Sequence, residues 1–149
     1  MKIYLAGSCS SERRTAMTEV AKTLRARGYD VYCPFELKIP NAWDMSQEEW
    51  AQRVFDADVK ALSEADCMVM MTPGRESTAG TNWEQGYAYA KGIPVYVFQY
   101  TNHDTSLMTY CGCDNFTVVD KNIYNACRTI GDFHYLETAY KNRAQTILT

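Results

Sequence analysis

The sequence has no long run of lysine or arginine and no apolar run near the length of a membrane span. Its net charge is −3, whereas nucleic-acid polymers and anionic membranes bind to basic surfaces. A helix that spans a bilayer needs about 20 apolar residues. A strand-like segment begins at residue 2, which leaves no room for a signal peptide. We therefore expect a cytoplasmic protein that binds neither a nucleic-acid polymer nor a membrane.

Histidine is scarce, and the cysteines lack the spacing of metal ligands. Only His103 and His134 could supply imidazole ligands, and the six cysteines include no CxxC pair. Cys33 and Cys67 lie in apolar strand-like runs, where a free cysteine commonly serves as a small buried hydrophobe. We predict thiols rather than disulfides, no metal site and no cofactor.

Apolar strand-like runs alternate with segments of helical periodicity along one domain, residues 1–149. The predicted strands are 2–6, 30–34, 66–71, 93–98 and 116–119. The predicted helices are 12–27, 46–63, 81–91 and a last one from about 122; the second has a capping-box pattern at Ser46 and Glu49. This alternation predicts a doubly wound, three-layer α/β sandwich of about five mostly parallel strands, with helices on both faces.

Polar segments cluster where the predicted strands end, the edge at which open parallel sheets bind ligands. Residues 8–14 combine hydroxyls, a helix N-terminus and two guanidinium groups. They could hold a phosphate or simply form a capped helix start. They lack the glycines and lysine of a P-loop, so ATP hydrolysis is not expected.

Two carboxylates near this edge are candidate catalytic groups. Glu84 falls in the first turn of the helix predicted at 81–91, where free N–H groups favour an anion. A carboxylate there suits nucleophilic attack on a sugar carbon, although Thr81 and Glu84 also have the spacing of a structural capping box. Asp58 lies in the middle of the preceding helix, where it could equally belong to a solvated face beside Asp56 and Lys60.

Four segments in this order resemble the nucleoside 2-deoxyribosyltransferase family, which includes deoxynucleoside-monophosphate N-glycosidases. Residues 2–7 resemble its opening strand with an active-site tyrosine, and residues 58–66 its Asp-containing helix followed by Ala-Asp. Residues 79–88 resemble the helix that bears the catalytic glutamate, and residues 93–95 its next strand. The resemblance covers residues 1 to about 110.

The resemblance implies a reaction and a set of residues. Glu84 would attack the anomeric carbon and form a covalent glycosyl-enzyme, Asp58 would act as general acid and base at the nucleobase, and Tyr4 would orient Glu84. Transfer to water gives hydrolysis, and transfer to another base gives exchange. Substrate contacts are implied for Gly7, Ser8, Ser10, Arg13, Ser77, Thr78, Gly80, Ser106 and Met108.

Two departures from the family pattern bear on the substrate. Six residues before Glu84, the transferases have an acidic residue that binds the sugar 5′-hydroxyl, and Thr78 stands there, preceded by Ser77. Hydroxyls at that place, with Ser and Arg in the first loop, resemble members that bind 5′-monophosphates, and a carboxylate would repel a phosphate. Ser106 replaces an asparagine in a segment, with Met108, that reaches a neighbouring subunit's pocket. We therefore expect a 5′-monophosphate substrate and a homodimer or higher homo-oligomer.

Aromatic residues near the same edge are candidates for stacking a nucleobase. Phe35, Trp43 and Tyr110 could do so, or could pack in the core or in a lid. The long segment 35–44 is a candidate lid.

Two other functions fit the same edge of the sheet. One is a non-catalytic nucleotide-binding or sensor module, although such a module would not need the full set of Tyr4, Asp58 and Glu84. The other is a nucleotide lyase or phosphatase that uses the Ser/Arg loop.

Overall fold

A parallel β-sheet forms the centre of the protein in a computed structural model, which describes residues 1–8, 10–141 and 148–149. The strands are β1 (Lys2–Ala6), β2 (Asp30–Tyr32), β3 (Cys67–Thr72), β4 (Val95–Gln99), β5 (Asn115–Val118) and β6 (Tyr140–Lys141). The helices are α1 (Ser11–Ala26), α2 (Gln47–Ser63), α3 (Ala79–Ala90), α4 (Leu107–Cys111) and α5 (Ile123–Gly131).

The strand order is β2-β1-β3-β4-β5-β6, and every pairing between these strands is parallel. The doubly wound α/β prediction is confirmed, with six strands in the described chain rather than five. The additional strand, β6, has two residues and pairs with Asn115 and Phe116. The chain reverses its direction across the sheet between β1 and β3, which makes the carboxyl ends of these strands the expected ligand position.

Strand alternation directs side chains into two separate cores. Ile3 and Leu5 of β1 pack in the core that α1 and α5 cover, whereas Tyr4 and Ala6 pack in the core that α2, α3 and α4 cover. All six residues of β3 are buried, as expected of a strand covered on both faces. Tyr4 therefore faces α2 and α3, the helices that carry Asp58 and Glu84.

The N-terminus of α3 differs from its prediction. Thr78 is the N-cap, and its side chain accepts a hydrogen bond from the Thr81 backbone N–H, so the helix begins two residues earlier than predicted. Thr81 is buried within the helix, and the expected capping box with Glu84 is wrong. Glu84 lies in the second turn, beyond the free N–H groups, so its environment must come from tertiary contacts. The α2 cap was predicted correctly, because Ser46 accepts from the Glu49 N–H at 3.1 Å.

The remaining described features are the connection between β2 and α2, the short helix α4 and the cysteines. The segment between β2 and α2 forms two short 3₁₀ turns, Pro34–Glu36 and Ala42–Asp44, and helix α4 was not predicted. Cys33 and Cys67 are buried as predicted, and no disulfide joins the described cysteines, while Cys9 lies outside the described residues. In the described chain no helix is long and apolar enough to cross a bilayer.

Candidate active site

Two tyrosine–carboxylate pairs lie side by side on the α2–α3 face of the sheet. The Tyr4 hydroxyl donates to Glu84 Oε1 at 2.9 Å, and the Tyr32 hydroxyl donates to Asp58 Oδ1 at 2.8 Å. Tyr4 and Tyr32 are register partners on β1 and β2. Their rings stack with centroids 5.5 Å apart and planes at 19°. The strands thus hold the phenols, and the phenols hold one carboxylate from each helix.

The two carboxylates open into a cavity of about 340 Å³ with largely apolar walls. The exposed aromatic side chains Trp50, Phe55 and Trp83 form part of these walls. Phe55 meets Trp83 edge-on, with ring centroids 5.4 Å apart, and the Tyr87 ring stacks on the Trp83 ring, with centroids 5.6 Å apart. A flat, uncharged ring system such as a nucleobase matches these walls. The lining is completed by Tyr4, Ala51, Val54, Asp58, Val59, Leu62, Gly80 and Glu84.

Burial governs the ionisation of these groups. It raises the pKa of Glu84 to about 7; the Tyr4 hydrogen bond opposes this rise, and the Asp58 charge adds to it. Burial also raises the pKa of Asp58, and the hydrogen bond from Tyr32 opposes it. The pKa of both phenols is raised, by burial first and then by the neighbouring carboxylates. The tyrosines therefore stay protonated as donors, and the Glu84 carboxyl group can exchange a proton near neutral pH.

Such a pair of carboxyl groups can carry out substitution at an acetal-type carbon. A carboxylate with one oxygen held by a phenol has its second oxygen available for attack, and a carboxyl group with a raised pKa can donate a proton to a leaving group. Within the described residues, no three His, Cys, Asp or Glu side chains come together as a metal site would require.

The first loop lies apart from the Glu84 cavity. Ser8 and Arg13 line a separate cavity of about 180 Å³ against α1 and α5, where the Arg13 guanidinium donates to the Tyr100 hydroxyl. Ser10 is the N-cap of α1, but its side chain makes no capping hydrogen bond within the described chain. A Cβ at Gly7 would lie 2.7 Å from Met17 Sδ, so α1 packs closely against that glycine.

The loop between β3 and α3 brings its polar side chains to the start of α3, the helix that carries Glu84. Gly80 lines the Glu84 cavity, and Thr78 caps α3. The Ser77 hydroxyl is buried and has no hydrogen-bond partner in the described part of the chain. The Arg75 guanidinium forms a 3.2 Å ion pair with the Asp104 carboxylate. The Arg75 backbone N–H also donates to the Asp104 carbonyl oxygen at 2.8 Å.

Ser106 and Met108 lie on the far side of α3 from the carboxylates. They line a groove of about 420 Å³ between α3 and α4 together with Asn82 and Tyr89. Met108 is 73% exposed, and the Ser106 side chain accepts from the Met108 N–H. Neither residue lines the Glu84 cavity of its own chain.

The aromatic residues that the sequence offered for base stacking do not line this cavity. Tyr110 is fully buried in the core under α2, α3 and α4, which agrees with the core-packing alternative. Phe35 packs against the opposite core, and Trp43 is 82% exposed on the segment before α2. The aromatic walls of the cavity come instead from Trp50, Phe55 and Trp83, which lie on the helices that carry Asp58 and Glu84.

Tyr32 is the main residue that the sequence analysis missed. It shares a register position with Tyr4, so its side chain faces the same helices. Alternation along β2 puts Tyr32 on one face of the sheet, but its place beside Tyr4 follows only from the strand order and register that the structure gives.

Comparison with known proteins gives one family and several similar structures. A family model described as nucleoside 2-deoxyribosyltransferase matches residues 3–133. A 2-deoxyribosyltransferase structure from Bacillus psychrosaccharolyticus has 26% identity and a TM-score of 0.77, over 91% of this chain and 93% of that one. A conserved Enterococcus faecalis V583 protein has 28% identity and a TM-score of 0.56, over 66% and 62%.

A CMP N-glycosidase from Clostridium botulinum, BcmB, shares the fold at a TM-score of 0.62, over 87% of this chain and 98% of that one. Its identity of 13% supports a likeness of fold alone. No curated protein matches the chain in sequence.

Proposed function

We propose, because this chain belongs to the nucleoside 2-deoxyribosyltransferase family, that it cleaves N-glycosidic bonds of (deoxy)nucleosides or their 5′-monophosphates at Glu84. The observation that carries the proposal is the pair of phenol-held carboxylates, Glu84 and Asp58, opening into one aromatic-walled cavity. In the proposed complex the nucleobase lies against the aromatic walls of this cavity, with the sugar carbon near the carboxylates. The similar 2-deoxyribosyltransferase of Bacillus psychrosaccharolyticus supports the same class of reaction.

The first half of the reaction forms a glycosyl-enzyme. Tyr4 holds Glu84 Oε1, so Oε2 attacks C1′ of the sugar. The bond from C1′ to the base nitrogen breaks, its electron pair leaves with the base, and protonated Asp58 gives the base a proton. The products are the free base and an ester between C1′ and Glu84.

The second half releases the sugar. Asp58, now a carboxylate, takes a proton from water or from an incoming base, and that nucleophile attacks C1′. The ester bond breaks and Glu84 is regenerated as a carboxylate. The sugar carbon is displaced twice, first by Glu84 and then by the acceptor, so the proposed mechanism retains the configuration at C1′.

The 5′-monophosphate preference is carried by the start of α3. Thr78 has a hydroxyl at the position where the transferases have an acidic residue, whose carboxylate would repel a phosphate. The neighbouring Ser77 hydroxyl is buried without a partner in the described chain. The first-turn N–H groups of α3 add a favourable dipole beside Gly80, which lines the cavity. Arg13 lies in the separate cavity beside Tyr100, so the proposed phosphate contacts come from Ser77 and Thr78.

The active unit is a homodimer or a higher homo-oligomer. Ser106 and Met108 face a groove on the opposite side of α3 from Glu84, so they can serve a substrate only in a neighbouring subunit. The exposed Met108 and Tyr89 side chains give that groove apolar contact area for a second copy.

The thiols of the described cysteines fit a reducing, cytoplasmic setting.

Product analysis by chromatography tests the function. Deoxynucleosides and their 5′-monophosphates are incubated with the wild-type protein and with Glu84→Gln, with and without an added free base. We expect free base from monophosphates in wild type alone. Exchange of bases on unphosphorylated nucleosides would contradict the monophosphate preference.

The same assay separates the other functions that the fold permits. Release of inorganic phosphate without free base would identify a phosphatase. Substrate binding without any product, unchanged in Glu84→Gln, would identify a binding module. Either result contradicts the proposed reaction.

A further inference from the structure

Tyr32 lies in the candidate active site, and the proposed reaction assigns it no role. Its hydroxyl donates to Asp58 Oδ1 at 2.8 Å, and its ring is half-buried against the ring of Tyr4. Neither the strand nor the helix requires this contact, because Asp58 lies in the middle of α2 and could point into solvent. The hydrogen bond therefore fixes one rotamer of a carboxylate that would otherwise be free to move.

The two tyrosines form a single spacer between the helices. Tyr4 and Tyr32 are paired in register on adjacent parallel strands, and their rings are stacked at 19°. Since each hydroxyl binds a different carboxylate, the ring stack sets the spacing of those carboxylates. A displacement of Tyr32 would move Asp58 relative to Glu84, and a misplacement of about 1 Å can cost on the order of 100-fold in rate.

We infer that Tyr32 is a positioning residue for Asp58, holding Oδ1 so that Oδ2 exchanges the proton with the nucleobase. This inference rests on the proposed function, because it assigns a role in protonation of the leaving base. Tyr32 is not a catalytic residue, since it acts through Asp58.

The charges around the site support separate roles for the two phenols. Four titratable groups face one another: Tyr4 from β1, Tyr32 from β2, Asp58 from α2 and Glu84 from α3. The Tyr32 hydrogen bond lowers the pKa of Asp58 against the effect of burial, and Tyr4 does the same for Glu84. Removing one hydroxyl should therefore raise the pKa of its own carboxyl group more than that of the other.

The substitution Tyr32→Phe tests the inference, because it keeps the stacked ring and removes only the hydroxyl. A hydrogen bond to a charged group corresponds to roughly a 10- to 100-fold effect, so we expect kcat for natural nucleobases to fall by that factor with little change in KM. A 4-nitrophenolate leaving group needs no proton from Asp58, so its release in the first turnover, before the glycosyl-enzyme reacts with water, should slow much less. A structural defect would slow both substrates equally, and that result would overturn the inference.

Tyr135→Phe is the matched control. Tyr135 is 7% exposed, and its hydroxyl donates to the Ile130 carbonyl at 2.8 Å, so the control also loses one hydrogen bond of a largely buried tyrosine, away from the cavity. We expect it to retain wild-type kcat on both substrates. If it loses as much activity as Tyr32→Phe, the effect of Tyr32 is structural and the inference fails.

Carbon-13 NMR titration of labelled aspartate side chains tests the contact without any turnover. We expect the pKa of Asp58 to be higher in Tyr32→Phe than in wild type and to change less in Tyr4→Phe. If wild type releases no base but this shift occurs, the proposed function fails and the contact stands. If wild type is active and the Asp58 pKa is the same in Tyr32→Phe, the inference fails and the function stands.

Discussion

At the scale of single residues, Glu84 combines two properties that oppose each other. As the proposed nucleophile it must be ionised, yet burial raises its pKa to about 7. The Tyr4 hydrogen bond limits this rise and leaves a substantial ionised fraction near neutral pH. Burial of the ionised Glu84 carboxylate costs desolvation free energy. The site should therefore reduce the free energy of unfolding, as catalytic sites often do.

The pH dependence of stability follows from this pKa. The folded protein binds more protons than the unfolded chain between the ordinary value of 4.5 and about 7, so the Glu84 contribution to stability falls as pH rises through that range. The shift corresponds to roughly 3 kcal/mol at most. We predict that Glu84→Gln raises the free energy of unfolding at pH 8 by up to that amount and changes it little at pH 4.

Urea denaturation of wild type and variant at both pH values measures this difference. Glu48→Gln, in the exposed first turn of α2, is the control and should show no comparable gain at pH 8. A Glu84→Gln protein that is equally stable or less stable at pH 8 would contradict the burial argument.

Trp83 should contribute to substrate binding rather than to the chemical step. It is 49% exposed beside Glu84 and has an edge-on contact with Phe55. Stacking of a base on an aromatic side chain is worth roughly 1–3 kcal/mol, so Trp83→Ala should raise KM by about 5- to 150-fold with a smaller effect on kcat. Steady-state kinetics would measure this, with Trp83→Phe restoring part of the affinity. Trp43→Ala, outside the cavity, should leave KM unchanged, and an equal effect of the two Ala variants would contradict the assignment.

At the scale of elements, the start of α3 is where local sequence rules were least reliable. Thr78 and Thr81 are both good N-cap residues, and the capping-box pattern favours Thr81. The structure uses Thr78 because Thr81 is buried and its N–H donates to the Thr78 hydroxyl. Tertiary packing therefore decides which of the two threonines is the N-cap. The sequence of the helix alone does not contain this information.

Exchanging Thr78 separates the helix cap from substrate selection. Asp and Asn both cap helices well, so Thr78→Asp and Thr78→Asn should both retain the thermal stability of wild type within a few degrees. A carboxylate there would repel a 5′-phosphate. We predict that Thr78→Asp lowers kcat/KM for 5′-monophosphates by at least tenfold relative to unphosphorylated nucleosides, whereas Thr78→Asn does not. An equal change in both variants would show that Thr78 does not face the phosphate.

At the scale of the whole molecule, the sheet was the most predictable feature. Buried strands such as β3 and the amphipathic spacing of α1 are properties of the local sequence. The two-residue strand β6 and the short helix α4 carry too few residues for such a signal. The pairing of Tyr32 with Tyr4, in contrast, depends on strand order, which periodicity does not specify. Ser8 and Arg13 were placed with the Glu84 site by resemblance, and the structure puts them in a different cavity.

The proposed oligomer predicts complementation between defective chains. A Glu84→Gln chain lacks the nucleophile, and a Met108→Glu chain carries a charge that should disable the site of its neighbour. In a mixed dimer one site has both an intact Glu84 and an intact Met108, so co-refolded chains should recover roughly a quarter of wild-type activity. Base release before and after mixing measures this. If mass spectrometry detects mixed dimers and the mixture regains no base-release activity, that result would contradict a site shared between subunits.

The covalent role of Glu84 is the central claim, and intact-protein mass spectrometry tests it most directly. A 2′-fluoro substrate slows both halves of the reaction by destabilising the oxocarbenium-like transition state, and rapid acid quench preserves the ester. We predict one added glycosyl mass in wild type, mapped by peptide digestion to Glu84, and no added mass in Glu84→Gln. Release of free base by wild type without any adduct, or an adduct on another residue, would contradict the account.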